Sequence, residues 1–229
     1  MLRSRDWLSA AVVRLMFEPE GEFSCHPGQF LSLIDPDSML SRSYSVAGVR
    51  DGLIELHVRV LPGGRMSTLV SSVAEPGYRM NITGPSGSCF YDATNPDRRI
   101  VLAGTGTGLA PLWGILQDAL AHAHRGPISL YHGALDRSGL YQVDELQALQ
   151  TRHQGFHYIP SVRDSTDPSG SDLVSVVTRG EKQLTNTTFY LCGDEVLFNR
   201  LKRTLFLAGA KLDALRADPF VAAREKRTG

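Results

Sequence analysis

At residues 99–111 the chain reads RIVLAGTGTGLAP. The first five residues are an apolar run typical of a buried strand, and from Leu109 onward apolar residues recur at helical spacing. Residues 104–108 are therefore predicted to turn the chain from a strand into a helix. Such a turn gathers backbone N–H groups at the positive end of a helix dipole, which suits a phosphate or pyrophosphate. Glycine-rich turns also arise for steric reasons alone, so the turn by itself leaves both explanations open.

The composition is that of a globular protein able to bury a core. Of the 229 residues, 42% are hydrophobic and 21% are charged. Lys and Arg together number 24, as do Asp and Glu, so no bulk attraction to nucleic acid or to an anionic membrane is expected. No apolar run is long enough to span a bilayer, and residues 1–7 lack the features of a secretory signal. We therefore expect a cytoplasmic protein that neither binds nucleic acid nor inserts into a membrane.

The cysteines and histidines predict neither a disulfide framework nor a metal centre. The chain has three cysteines, Cys25, Cys89 and Cys192, which lie far apart and include no CxxC pair. Three cysteines cannot by themselves hold an iron–sulfur cluster. His122 and His124 stand two apart in a predicted helix, where their side chains diverge. No metal site is predicted.

The spacing of apolar residues differs between the two parts of the chain. Residues 1–96 contain short strand-like runs separated by turn residues, which predicts a small antiparallel barrel. From residue 97 onward strands alternate with helical patterns, which predicts a parallel sheet covered by helices on both faces. The expected fold is thus an antiparallel β-barrel domain over residues 1–96, followed by a parallel-sheet α/β domain over residues 97–229.

Four further motifs follow a fixed order along the chain. Arg-Ser-Tyr-Ser stands at 42–45, Pro-Gly-Gly-Arg-Met-Ser at 62–67, Gly-Pro-Ser-Gly at 84–87 and Cys-Gly-Asp at 192–194. No Lys-Ser/Thr follows the glycine-rich turn, which excludes a nucleoside-triphosphate P-loop, and the next strand lacks the acidic end of the common dinucleotide fingerprint. The whole set, over nearly the full chain, resembles the ferredoxin–NADP reductase superfamily.

The resemblance implies that the barrel binds FAD, with FMN as the alternative. Arg42 would pair with a flavin phosphate, Tyr44 would pack on the flavin, and Ser45 would stand near flavin N5. The helix start after residues 63–64 would hold the flavin phosphates through its backbone amides and the Ser67 hydroxyl. An ordinary barrel strand and an ordinary turn with a helix N-cap are the structural alternatives.

The resemblance also implies a site for the nicotinamide nucleotide. The turn at 104–108 would lie beneath the nicotinamide and the pyrophosphate, and Cys192 would sit beside the reacting nicotinamide carbon. Phe220 would shield the second face of the flavin. Alternatively, Cys192 is a buried structural cysteine and Phe220 packs the last strand. Mixed charges after the second and third parallel strands slightly favour NADH over NADPH.

The implied site residues form a catalytic pair and a larger cofactor-binding set. Ser45 and Cys192 are the catalytic pair. The cofactor-binding residues are Arg42, Tyr44, Ser45, His57, Arg59, Val60, Gly63, Gly64, Met66, Ser67, Gly104, Thr105, Gly106, Thr107, Gly108, Pro111, Cys192, Gly193, Asp194 and Phe220.

The implied activity is hydride transfer from NADH or NADPH to FAD. Electrons would then pass to a separate redox partner, either an iron–sulfur protein such as a ferredoxin or an oxygenase component. Two alternatives stay open on the sequence alone. One is an NAD(P)H-dependent reductase that uses flavin as a diffusible substrate. The other is a flavin- or nucleotide-binding regulatory module that lacks turnover.

Overall fold

The structure, a computed structural model, describes residues 1–163 and 172–220 of the chain. Its first part is an antiparallel sheet whose six strands follow the order β1-β2-β5-β4-β3-β6. These strands are β1 (Leu2–Ser9), β2 (Val12–Phe17), β3 (Phe30–Ile34), β4 (Ser41–Arg50), β5 (Leu53–Arg59) and β6 (Asn81–Ser86). We call this part the β unit.

The second part is a parallel sheet of five strands in the order β11-β10-β7-β8-β9. The strands are β7 (Arg99–Thr105), β8 (Ile128–Ala134), β9 (Phe156–Val162), β10 (Thr187–Asp194) and β11 (Leu215–Phe220). The α-helices of the described residues are α1 (Arg65–Thr68), α2 (Leu109–Ala121), α3 (Val143–Arg152), α4 (Leu173–Gly180) and α5 (Glu195–Leu207). We call the parallel sheet with α2–α5 the α/β unit. An antiparallel β part followed by a parallel α/β part confirms the predicted fold class.

The strands of the β unit close around an apolar core of their own. Leu15, Leu33, Val46 and Leu56 come from four different strands, and each is fully buried in this core. Burying such side chains is the main favourable contribution to folding, at about 1.5–3 kcal/mol each. The core therefore fixes the relative positions of β4, which carries the predicted flavin-binding residues Arg42, Tyr44 and Ser45, and β5, which carries His57 and Arg59.

Helix α2 joins the two units. Its buried residues Leu112, Ile115 and Leu116 share one core cluster with Ala47 of β4. A Cβ at Gly114 would lie 2.9 Å from the carbonyl oxygen of Ala47, so the helix and β4 are in backbone contact. The glycine-rich turn opens this same helix, and it is thereby held beside the β unit. No helix of the described residues has the length and apolar character required to cross a membrane.

Candidate functional site

Strand β4 changes its pairing partner halfway along its length. Residues 41–45 pair with β3, whereas residues 46–50 pair with β5. On the β5 side, the first half of β4 therefore has no sheet partner among the described residues. Backbone N–H and C=O groups along such an edge need partners, and a ligand lying along the strand can supply them.

Three predicted flavin residues lie on this open half of β4. The Arg42 guanidinium is exposed and donates to the carbonyl oxygen of Ser41 at 2.7 Å. Tyr44 is half-buried, and burial raises the pKa of its phenol to about 12, so the phenol stays neutral at pH 7. Ser45 is only 7% exposed. An exposed cation, a partly buried ring and a buried hydroxyl in succession fit a ligand with an anionic tail and a flat ring system.

The loop before α1 is held together by its own serine. The Ser67 hydroxyl donates to the carbonyl oxygen of Gly64 at 3.0 Å and accepts from the Leu61 N–H at 3.3 Å. Gly63 has a φ of 72°, a backbone conformation that glycine adopts easily and that residues with a side chain rarely adopt. The hydroxyl predicted to bind a flavin phosphate thus has its proton engaged inside the loop, and the Met66 side chain is buried in the core. For an anion, this segment offers the first-turn backbone amides of α1.

Two different physical requirements explain why glycine occurs at three positions of the turn at 104–108. A Cβ at Gly104 would lie 2.6 Å from the carbonyl oxygen of Cys192, and a Cβ at Gly108 would lie 2.5 Å from the same oxygen. Gly106 instead has a φ of 54°, and its Cβ would meet only the Arg59 guanidinium, at 3.5 Å. Packing against β10 therefore accounts for the two outer glycines, whereas the middle one has only the end of a flexible arginine side chain nearby.

The end of β10 lies against the same turn. Gly193 has a φ of 131°, and a Cβ there would lie 3.1 Å from Thr105 Oγ1. The Asp194 carboxylate caps α5 by accepting the N–H groups of Val196 at 3.0 Å and Leu197 at 3.2 Å. The structure therefore gives Asp194, a predicted cofactor ligand, a helix-capping role that accounts for it without a ligand.

The remaining predicted residues differ in accessibility. Arg59 is exposed and Thr107 is half-buried, so both are open to a ligand at the turn. Val60 is half-buried, and Pro111 is buried within α2. Phe220 ends β11, and its side chain lies outside the described part of the chain. Its predicted role as a flavin shield stays a prediction.

The side chain of His57 is engaged in contacts inside the protein, and its predicted role as a cofactor ligand stays a prediction. It is 3% exposed, with Nε2 at 2.8 Å from Glu55 Oε1 and Nδ1 at 3.2 Å from the Tyr141 hydroxyl. Burial lowers the pKa of His57, so its ring is neutral. The arrangement that satisfies both contacts has Nε2–H donating to Glu55 and the Tyr141 hydroxyl donating to Nδ1. His57 therefore links β5 to the segment before α3.

Two more buried polar side chains continue this contact into the α/β unit. His132 Nδ1 lies 3.2 Å from the Tyr158 hydroxyl, and the His132 and Tyr141 rings meet edge to face at 5.8 Å. Burial lowers the pKa of His132 to about 4, so this ring is also neutral. Sequence reasoning missed the cluster because Tyr141 is 84 residues from His57, and no local pattern connects them.

Across the described residues, no group of three His, Cys, Asp or Glu side chains could hold a metal ion.

We expect Tyr141→Phe to lower the free energy of unfolding by about 1–2 kcal/mol, because Nδ1 of the buried His57 loses its donor. Urea unfolding of the wild type, both single variants and the double variant His57→Phe/Tyr141→Phe measures the effect. The double variant should cost less than the sum of the single variants. Strict additivity would show that the two side chains do not stabilise one another.

Comparison with known proteins identifies both parts of the chain. Residues 1–91 match the family described as "Oxidoreductase FAD-binding domain", and residues 102–203 match "Oxidoreductase NAD-binding domain". The chain is 32% identical over 226 residues to the ferredoxin–NAD(+) reductase component of the alkene monooxygenase system of Xanthobacter autotrophicus. That match covers 95% of this chain and 68% of the relative.

A second relative and two solved structures agree with this. The chain is 37% identical over 148 residues to the reductase subunit of an aromatic O-demethylase of Amycolatopsis, a match covering 62% of this chain and 44% of that protein. The crystal structure of the Amycolatopsis cytochrome P450 reductase GcoB superposes with a TM-score of 0.83 at 26% identity, covering 96% of this chain and 68% of that one.

The second solved structure is the ferredoxin NADP+ reductase of Neisseria gonorrhoeae with bound FAD and NADP. It superposes with a TM-score of 0.74 at 19% identity, covering 91% of this chain and 89% of that one, and it shows a shared fold. The chain spans 44% to 50% of the length of three of the curated relatives. An FAD-binding and an NAD-binding oxidoreductase domain in this order, on this two-sheet fold, place the chain in the ferredoxin–NADP reductase superfamily.

Proposed function

We propose that the chain is a flavin-dependent oxidoreductase that passes electrons from NADH or NADPH through FAD to a separate redox protein. The observation that carries the proposal is that the unpaired half of β4 and the glycine-rich turn lie in neighbouring parts of the fold. The unpaired half of β4 belongs to the FAD-binding match, and the glycine-rich turn opens the helix that packs against β4. When bound, FAD would supply the chemistry by accepting a hydride and releasing its electrons to an acceptor.

In this proposal the β unit holds the flavin. Arg42 has its guanidinium in solvent and would pair with a phosphate, assisted by the first-turn amides of α1. Tyr44 would pack against the ring system as a neutral phenol. The buried Ser45 hydroxyl would hydrogen-bond the reactive edge of the ring. These residues bind and orient the cofactor, which is how a protein contributes to such chemistry.

The α/β unit would position the nicotinamide. The turn at residues 104–108 would receive the nucleotide, with the Gly106 face open and the Arg59 guanidinium beside it. Cys192, at 3% exposed, would line the site beside the reacting carbon and help exclude water. The predicted division into residues 1–96 for FAD and 97–229 for NAD(P), and the cytoplasmic location, belong to the same proposal.

The proposed electron acceptor is an iron–sulfur protein or an oxygenase component. The relatives are named as the electron transfer component of a toluate 1,2-dioxygenase and as the ferredoxin–NAD(+) reductase component of an alkene monooxygenase system. Both names describe one component of an oxygenase or of an oxygenase system. This chain spans only part of the first of them, 50% of its length, so its own acceptor is inferred from their chemistry.

The proposal is tested by the visible spectrum of the purified chain and by anaerobic titration with NADH and NADPH. We expect a bound-flavin spectrum that bleaches on addition of either nucleotide, with the larger kcat/KM for NADH. A colourless protein that reduces added flavin would instead identify a free-flavin reductase. Retained flavin that neither nucleotide bleaches would identify a regulatory module. A chain that neither binds nor reduces FAD would refute the proposal.

A further inference from the structure

Two buried sulfur atoms from distant parts of the chain are in contact. Cys89 lies in the segment between β6 and β7, and Cys192 lies near the end of β10. Their Sγ atoms are 3.7 Å apart. Cys89 is 0% exposed and Cys192 is 3% exposed, so both residues are buried and only Cys192 retains a small exposed surface. The contact therefore joins the end of the β unit to the strand that carries the predicted nicotinamide-site cysteine.

The backbones behind both thiols are held in place. A Cβ at Gly28 would lie 2.2 Å from the carbonyl oxygen of Cys89, so that segment is packed tightly on the β unit. Cys192 is paired with Gly104 of β7 on one side and with Asp218 of β11 on the other. The approach of the two sulfur atoms is thus set by the fold rather than by loose side chains.

We propose that Cys89 and Cys192 are an oxidisable pair that hydrogen peroxide converts into a disulfide. The thiol of Cys192, the residue of the pair that retains a small exposed surface, attacks one peroxide oxygen; the O–O bond breaks, and a sulfenic acid and one water form. The Cys89 thiol then attacks the Cys192 sulfur, the S–S bond forms and a second water leaves. The two sulfur atoms lose two electrons in total, and the peroxide gains them.

The required movement is small. A disulfide has a sulfur–sulfur distance of about 2.05 Å, so each Sγ would shift by roughly 1 Å from its place in the reduced pair. The reaction itself does not depend on the proposed function of the chain.

The consequence for activity rests on the proposed function. Once bonded to Cys89, the Cys192 sulfur can no longer take its position beside a nicotinamide. The bond would also fix the segment between β6 and β7 to the end of β10, where the glycine-rich turn is packed. We therefore infer that oxidation reversibly slows electron entry, at the point where the nucleotide binds.

The test exposes the full chain to hydrogen peroxide and maps disulfides by mass spectrometry of peptides without reduction. Cys25→Ser is the matched control, because Cys25 is the third cysteine and is only half-buried. We expect a peptide linking Cys89 to Cys192 in the wild type and in Cys25→Ser, reversed by dithiothreitol. Cys89→Ser and Cys89→Ala should give no link, and each should keep its NADH-dependent flavin reduction before oxidation.

Three results would overturn the proposal. In the first, peroxide treatment leaves the thiols of Cys89 and Cys192 unoxidised. In the second, the disulfide that forms involves Cys25. In the third, Cys192 of the wild type is oxidised to sulfinic acid and no disulfide forms. In the activity assay, oxidised wild type should fall to the rate of Cys192→Ala and recover with dithiothreitol. Equal, irreversible loss in the wild type and Cys89→Ala would also count against it. If the untreated wild type lacks NADH-dependent activity, the proposed function fails, and peptide mapping alone decides the pair.

Discussion

Gly108→Ala should lower the free energy of unfolding by about 3 kcal/mol, an effect at the upper end of overpacking substitutions. The added Cβ would lie 2.5 Å from the carbonyl oxygen and 2.8 Å from the carbonyl carbon of Cys192, and 3.0 Å from Gly193 Cα. All three are backbone atoms of β10, so no side chain can rotate away to make room. Either β10 or the turn must move, and chemical denaturation of the variant measures the cost.

Gly106→Ala is the control within the same turn. Its Cβ would meet only the Arg59 guanidinium at 3.5 Å, an ordinary contact with the end of a flexible side chain. The cost there comes from the φ of 54° and should be about 1 kcal/mol. Equal losses for the two variants would contradict the conclusion that packing explains the outer glycines. If Gly106→Ala lowers the free energy of NADH binding by more than it lowers the free energy of unfolding, the result would support the middle of the turn as the nucleotide site.

The glycine run shows how far local sequence carries a prediction. The strand before it and the helix after it follow from apolar spacing, and both are present as β7 and α2. The reason for Gly104 and Gly108 could not be read locally, because the atoms they must avoid belong to Cys192. A steric requirement set by a distant strand and a phosphate-binding turn both produce a glycine-rich sequence, so the sequence alone does not distinguish them.

The same limit applies to the surroundings of His57. Its ring nitrogens lie within hydrogen-bonding distance of Glu55 and Tyr141. Glu55 is two residues away on the same strand, a spacing that puts both side chains on one face. Tyr141 comes from the other unit, so its contribution becomes visible only when the two units are packed together. The Cys89–Cys192 contact, between residues 103 apart, was hidden for the same reason.

Arg42→Ala should weaken FAD binding by about 100-fold, since a charged hydrogen-bonding partner contributes roughly 1.5–3 kcal/mol. Arg42 has an exposed guanidinium at the open edge of β4, so its loss should leave the fold intact. Arg50→Ala is the matched control: Arg50 is an exposed arginine at the other end of the same strand, 3.9 Å from Glu55. Equilibrium dialysis or fluorescence titration with FAD measures the dissociation constants.

Cys192→Ala should show the opposite division of effects. Cys192 lies on β10 in the α/β unit, against the glycine-rich turn, so its removal should leave FAD binding near the wild-type value. Anaerobic stopped-flow mixing with NADH should then reveal slower reduction of the bound flavin, because the nicotinamide is held less firmly in its reactive position. Arg42→Ala, saturated with FAD, should be reduced at close to the wild-type rate. Equal loss of FAD from the two variants would show that one site serves both nucleotides, and the separate roles assigned to β4 and β10 would have to be abandoned.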